Sequence, residues 1–351
     1  MRHPTRISAN VSEAFGNVPI VRLNNLNPVC RRHDFYLKLE ACNPSGSIKE
    51  KNAVYLINEA ERTGRLKPGG TIVESSSGNF GIGLAMIGAS RGYKVIIVVD
   101  AKTTPAIRRM LEAYGAQLVD LPPSAANAHG SMQAARMEKA RELSMRIPGA
   151  WYPCQHLNPD NPRAHALFTA REIENAFDGA PDVIVVGIST AGQIAGLAEH
   201  FAGRGRSVRF VGVDVDGSAI LGMPPHPYKM TGLGLHFTPP NFKREVLTSA
   251  YSVCDELAFS VCRCLARKEG LLLGGSTGAI VAAGLAFGLG ESERLKILMI
   301  NPDRGDRYLD TIYNDDWIRA QKLELLAGQD LDRAVETLCP VFSCERSLIA
   351  A

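Results

Sequence analysis

Short, β-branched apolar runs alternate with helix-period segments through most of this chain, and that alternation restricts the fold more than any other feature. The runs predict strands at Thr71–Glu74, Tyr93–Val99, Gln117–Leu121, Val183–Ile188, Val208–Val213 and Lys296–Ile300. They are nearly unalternated, as expected when both faces of a sheet are covered. Between them the spacing predicts helices at Lys49–Thr63, Gly81–Ser90, Pro105–Tyr114, Met132–Met145, Ile194–Phe201 and Leu257–Lys268. The pattern is that of an α/β protein with mainly parallel sheets. A length of 351 residues allows about two domains. They are expected to meet near residues 150–160, where Pro148, Pro153, Pro159 and Pro162 interrupt the helical period. Ligands of such folds bind beyond the carboxyl ends of the strands, so a cleft between two α/β units is the expected site. The Pro-Gly-rich stretch Gly222–Pro240 is expected to form loops over it.

Composition removes several classes. A hydrophobic content of 45% supports a large core and argues against disorder. A net charge of +3, with both signs interspersed, does not make a nucleic-acid surface. Arg108-Arg109 and Arg204-Gly205-Arg206 read as solvated faces. No apolar stretch approaches the roughly 20 residues that span a bilayer. The opening MRHPTRISAN lacks the apolar core of a signal peptide, so a soluble cytoplasmic protein without membrane or nucleic-acid partners is expected. The eight cysteines have no metal-ligand spacing, and reduced thiols are expected for all. Cys264 shares a helical face with Leu257, Val261 and Leu265, which predicts a small core residue; Cys339 and Cys344 are expected at the surface.

The chemistry concentrates at Lys49, which ends the run Asn43-Pro44-Ser45-Gly46-Ser47-Ile48-Lys49. Asn-Pro and Gly46 make a tight turn, and Ala53, Val54, Leu56, Ile57 and Ala60 then recur at helical spacing. Lys49 therefore starts a helix, where the dipole disfavours an ammonium and favours the nucleophilic amine. The plain alternative is a solvated first-turn lysine. Three polar loops, each expected between a buried strand and a helix, add to the pattern. Ser75-Ser76-Ser77-Gly78-Asn79-Phe80-Gly81 can hold a carboxylate, and Ser189-Thr190-Ala191-Gly192-Gln193 can cradle a phosphate. The third, Gly274-Gly275-Ser276-Thr277-Gly278, follows a strand expected at Gly270–Leu273. Each alone is compatible with simple helix capping.

Together these segments resemble the fold-type II pyridoxal-phosphate enzymes of the cysteine synthase/cystathionine β-synthase family, from about Val18 to Trp317. The general likeness rests on Asn43–Lys49, Ser76–Gly81, Met230-Thr231-Gly232-Leu233-Gly234 and Gly274–Gly278. Within the family the chain resembles the branch that makes N-(2-amino-2-carboxyethyl)-L-glutamate, a precursor of 2,3-diaminopropionate in siderophores and peptide antibiotics. That likeness rests on Ala128-His129-Gly130 with Arg136, on Ser189–Gly192, and on Pro302-Asp303-Arg304-Gly305-Asp306-Arg307-Tyr308-Leu309. The resemblance implies two three-layer α/β domains, tryptophan synthase β-like. A smaller mobile domain would span 43–156, a larger cofactor-binding domain 1–42 plus 157–330, and a C-terminal extension 331–351. It implies a homodimer and pyridoxal 5'-phosphate, with no metal. Lys49 would carry the cofactor, Asn79 would bond its ring hydroxyl, Ser189, Thr190, Ala191, Gly192 and Gln193 would hold its phosphate, and Ser276 would face its pyridine nitrogen. Ser76, Ser77, Asn79 and Gln155 would bind the substrate, the serines and Gln155 through its carboxylate.

Departures from the family pattern qualify this. Glu50-Lys51 replaces the usual Asp-Arg, Ser189 and Ala191 replace glycines, and Gln193 replaces a threonine. His156 stands where an aromatic ring is usual, either as a ring lining the pocket or as a polar substrate contact. A serine beside the pyridine nitrogen leaves it neutral, which suits β-elimination better than transamination. The expected reaction joins O-phospho-L-serine to L-glutamate, with Arg136 on a lid as the cationic partner of glutamate. The alternative for Arg136 is a solvated helix face; the alternative enzyme is a cysteine synthase using O-acetyl-L-serine and sulfide.

Overall fold

The computed structural model describes residues 7–26, 32–126 and 130–344. They divide into two compact units, one built from the residues up to Asn17 and Asn43–Cys154, the other from Val18–Cys42 and from Gln155 onward. The N-terminal stretch thus belongs with the smaller unit, not the larger one as expected. The guanidinium of Arg91 holds it there through Ser12 Oγ, at 2.9 and 3.2 Å.

In the smaller unit, strands β3 (Thr71–Ser75), β4 (Lys94–Val99), β5 (Gln117–Asp120) and β6 (Ala150–Trp151) form an all-parallel sheet in the order β5-β4-β3-β6. Its helices are α1 (Lys49–Arg62), α2 (Asn79–Arg91), α3 (Pro105–Ala113) and α4 (Met132–Arg146). Both faces of the sheet are covered at β3 and β4, which is why these strands read as nearly continuous apolar runs. Val73, Ile96 and Val98 pack with Ala140 of α4. Ile97, on the opposite face, lies under Gly81 of α2, where an added Cβ would sit 3.4 Å from its side chain.

The larger unit holds a seven-stranded sheet in the order β1-β2-β10-β7-β8-β9-β11. Its strands are β1 (Ile20–Arg22), β2 (Asp34–Leu39), β7 (Val183–Gly187), β8 (Arg209–Val215), β9 (Ser249–Val253), β10 (Lys296–Asn301) and β11 (Phe342–Ser343). The outermost pairs are antiparallel and the rest parallel. Helices α5 (Asn161–Ala164) and α6 (Ala170–Phe177) flank a π turn at His165–Thr169; α7 (Gly192–Ala202), α8 (Asp255–Lys268), α9 (Gly275–Leu289), α10 (Asp315–Ala320) and α11 (Gly328–Glu336) follow. The core joins Val183, Val185, Val211 and Val213 to Ile280, Val281 and Leu285 of α9. Leu331 and Val335 of α11 enter the same core, so the C-terminal segment is in part an integral helix and not wholly an extension.

One sequence expectation fails here and one holds only in part. Cys262 is fully buried and donates to the Gly274 carbonyl, whereas Cys264 is only partly buried. Leu257, Val261 and Leu265 are buried in the core as their spacing predicts, and Cys264 packs against that core from a partly buried position. Residues 270–273 form no strand; Leu273 makes an isolated bridge with Arg304. The seven described cysteines are free, with Cys339 and Cys344 exposed as expected. Gly222–Pro240 is irregular, also as expected. Among the described residues no helix is long and apolar enough to cross a membrane.

Candidate active site

In the smaller unit, the Lys49 turn is closed from both sides. Gly46 takes a φ of 75° that favours glycine, and its N–H donates to the Asn43 carbonyl at 2.7 Å. The buried Glu50 carboxylate accepts the Ser45 N–H at 2.6 Å, so the first turn of α1 clamps the loop before it. This is what Glu50 does at its departure from the family pattern. Lys49 heads α1, and burial of its ammonium pushes its pKa down to about 8. Desolvation is the cause, where the sequence pointed to the helix dipole. The backbone of Lys49 lies against Gly83 of α2, where a Cβ would come within 3.5 Å of its carbonyl oxygen. Asn79 is one turn earlier on α2, so the lysine turn and the head of α2 come together.

Ser76 lies just ahead of α2. Its Oγ accepts the N–H groups of Gly81 and Gly78 at 3.0 and 3.3 Å, which makes it a cap of α2. Ser77 and Asn79, both partly exposed, follow it at the helix start. Arg136 is not on a solvated face: it is 8% exposed, and its Nη1 lies 3.0 Å from Asp100 Oδ2, itself on a 2% exposed residue. The pair is in ionic contact but turned so that neither Arg136 Nε nor Nη1 makes an aligned hydrogen bond. Burial pulls the Arg136 pKa down, and the Asp100 charge pushes it back. Asp100 and Ser76 follow the carboxyl ends of the neighbouring parallel strands β4 and β3. Ala128 and His129 lie outside the described residues.

In the larger unit, Ser189–Ala191 run from β7 into Gly192 and Gln193, the first residues of α7. Ala191 takes the left-handed conformation at φ 58°, and no side chain caps the helix. Among the described residues the buried Gln193 Nε2 has no hydrogen-bond partner, leaving an amide donor beside the uncapped helix start. Sequence reasoning missed Asn161, whose Nδ2 donates to the Gln155 carbonyl at 2.9 Å and to Thr190 Oγ1 at 3.1 Å. Its only sequence signal was the Asn-Pro that opens α5. Gln155 and His156 are both buried, and the His156 ring stands edge-on to Phe237, 6.4 Å between centroids. That contact makes His156 an aromatic neighbour of Phe237 and is compatible with either role expected for it. Ser276, 2% exposed, is the second residue of α9, and a Cβ on Gly232 would lie 3.6 Å from its Oγ. Below that loop Thr231 Oγ1 donates to Tyr308 Oη at 3.3 Å, and Tyr308 donates to Asp303 Oδ2 at 2.6 Å. The Met230–Gly234 and Pro302–Leu309 segments therefore support one another.

Taken unit by unit, these donors suit pyridoxal phosphate. A lysine with a depressed pKa suits an aldehyde, and an orphaned amide donor at a helix start suits a phosphate. The family follows: the chain belongs to the pyridoxal-phosphate dependent enzymes, whose family model matches residues 11–303. Among its relatives is the N-(2-amino-2-carboxyethyl)-L-glutamate synthase of Ralstonia nicotianae, 35% identical over 89% of this chain and 91% of that protein. A Bacillus subtilis protein named "Probable cysteine synthase" is 39% identical over 87% of this chain and 97% of its own length. The crystal structure of cysteine synthase from Entamoeba histolytica superposes with a TM-score of 0.85 at 30% identity, covering 95% of this chain and 97% of that one. The protein is a pyridoxal-phosphate enzyme with the two-sheet, mainly parallel α/β fold of the cysteine synthases.

Proposed function

We propose that this enzyme carries out β-replacement on an activated L-serine, joining O-phospho-L-serine to L-glutamate. The products are N-(2-amino-2-carboxyethyl)-L-glutamate and phosphate, in a route to 2,3-diaminopropionate for a siderophore or antibiotic. When bound, pyridoxal phosphate supplies an aldehyde that condenses with amines and a ring that accepts electrons from the substrate α-carbon. Lys49 holds the cofactor, then removes the proton at Cα and later returns it through Nζ. The Cβ–O bond to phosphate breaks, a Cβ–N bond to glutamate forms, and the glutamate amine gives up one proton. Ser189–Gln193 bind the cofactor phosphate, Asn79 its ring hydroxyl, and Ser276 lies at its pyridine nitrogen. Ser77, Gln155 and the amides around Ser76 orient the substrate carboxylate. The same reading takes a homodimer and a cytoplasmic location.

Arg136 is the observation that carries the choice of acceptor. A buried guanidinium with unaligned donors, at the carboxyl edge of β3 and β4, suits an acceptor with two carboxylates of its own. Sulfide needs no such group. The alternative, a cysteine synthase using O-acetyl-L-serine and sulfide, is supported by the likeness to the Bacillus subtilis protein. Mass spectrometry of products from both donors, each with glutamate, cysteine and sulfide, separates the two. Faster turnover of acetylserine with sulfide than of phosphoserine with glutamate would sink the leading reading. Hydrogen bonds to charged groups contribute about 1.5–3 kcal/mol, so Arg136→Ala should weaken glutamate use roughly ten- to a hundredfold. Phosphate release from phosphoserine without glutamate should change less; the opposite split would assign Arg136 to the donor.

A further inference from the structure

Asn161 is completely buried, at the head of α5, and its side chain reaches two segments that the proposed function gives separate tasks. The Gln155 carbonyl can only accept, so the 2.9 Å contact fixes which end of the Asn161 amide faces it. The second hydrogen of the same Nδ2 then goes to Thr190 Oγ1 at 3.1 Å. This sets the polarity of the threonine hydroxyl: Oγ1 accepts from Asn161, and its own hydrogen is left for another acceptor. The amide oxygen closes the arrangement on the loop side. A Cβ on Gly192 would come within 1.9 Å of Asn161 Oδ1, so the start of α7 is seated directly on this side chain. One turn on, a Cβ at Gly196 would lie 2.1 Å from the Pro162 carbonyl, so the whole face is interlocked.

We propose that Asn161 is a positioning residue that ties the phosphate loop to the Gln155 segment and aims the Thr190 hydroxyl at the cofactor phosphate. The inference rests on the proposed roles of Ser189–Gln193 and Gln155. It also accounts for the retained glycine of the loop: Gly192 is pressed on Asn161, with no room for a side chain, while Ser189, Ala191 and Gln193 around it depart from the family residues. With the terminal threonine replaced by Gln193, the oriented Thr190 hydroxyl supplies a donor to the anion.

The test uses the holoenzyme and follows pyridoxal-phosphate dissociation, the phosphorus resonance of the bound phosphate, and donor KM separately from kcat. Asn161→Ala should weaken cofactor binding about tenfold, the loss of one hydrogen bond to a charged group. It should also raise donor KM more than it lowers kcat. Thr190→Val should weaken cofactor binding alike and leave donor KM near the wild-type value. The double variant should bind the cofactor no more weakly than either single one. Asn161→Asp keeps the side-chain volume but accepts where asparagine donates, so it should shift the phosphorus resonance as Thr190→Val does. It carries the test if the alanine variant does not fold. Additive losses in the double variant, or an Asn161→Asp resonance equal to wild type, would overturn the proposal. Failure of the wild-type chain to take up the cofactor would instead overturn the proposed function.

Discussion

In the proposed reaction Lys49 attacks an aldehyde as the free amine, and burial makes that form available at lower pH. Its pKa is lowered to about 8 by burial, so the neutral fraction rises through that pH, well below the ordinary lysine range. Stopped-flow attachment of pyridoxal phosphate to the cofactor-free protein should accelerate up to about pH 8 and level off above it. A rate still climbing at pH 10 would show an unperturbed lysine. The residue itself was legible because a turn and a helix start surround it. The reason for its reactivity was not, because burial depends on packing by α2 from elsewhere in the chain. The same limit applied to Arg136, where the sequence offered no sign of Asp100 as its neighbour, and to Ser76, whose hydroxyl caps α2.

At the scale of elements, the turn from β7 into α7 carries a backbone cost. Ala191 sits at φ 58°, a region that costs a residue with a Cβ roughly 1–2 kcal/mol. Glycine there would remove the strain but add freedom to the unfolded chain, which offsets about 0.4–1 kcal/mol. Ala191→Gly should therefore stabilise the protein by about 0.5–1 kcal/mol, read from the urea midpoint at unchanged m; a destabilised variant would mean the Ala191 methyl packs better than its backbone suffers. The six strands and six helices predicted from periodicity all exist, with ends shifted by a residue or two. The missed elements have physical reasons. In β2 the fully buried Lys38, paired with Glu172 at 2.5 Å and Glu40 at 3.6 Å, disguises a core strand as a polar one. In α9 the run GSTGAIVAAGLAFGL is apolar on every side because it is buried on every side, so no 3.6-residue period is left to read. The pairing of β1 and β11 at the sheet edges is set by distant partners, which local pattern does not reveal.

For the molecule as a whole, one carboxyl in the larger sheet makes stability depend on pH. Asp214 on β8 is 1% exposed, and burial raises its pKa to about 7, only partly opposed by the nearby Ser218 hydroxyl and by the Val215 amide, which donates to Oδ1. Among the described residues its Oδ2 has no hydrogen-bond partner. The unfolded chain ionises this group near pH 4 while the folded chain keeps the proton to about pH 7. Its contribution to stability thus falls as pH rises across that window and is constant above it. Asp214→Asn mimics the protonated form. It should match wild type near pH 4 and exceed it at pH 8, measured by urea unfolding at both pH values. The excess should be on the order of 1.4 kcal/mol for each pH unit that separates ionisation in the folded chain from ionisation in the unfolded one. Equal midpoints at pH 8 would mean that water reaches the carboxylate. The order of the strands also bears on how the chain is made. Asp34 of β2 pairs in register with Lys296 of β10, whereas the strands of the smaller sheet are all complete by Trp151. At about 5–20 residues per second, β2 leaves the ribosome roughly 13–50 s before the neighbour it will share a sheet with exists. For that interval the edge of β2 facing β10 stays open in the nascent chain, and the smaller sheet already has every strand it needs.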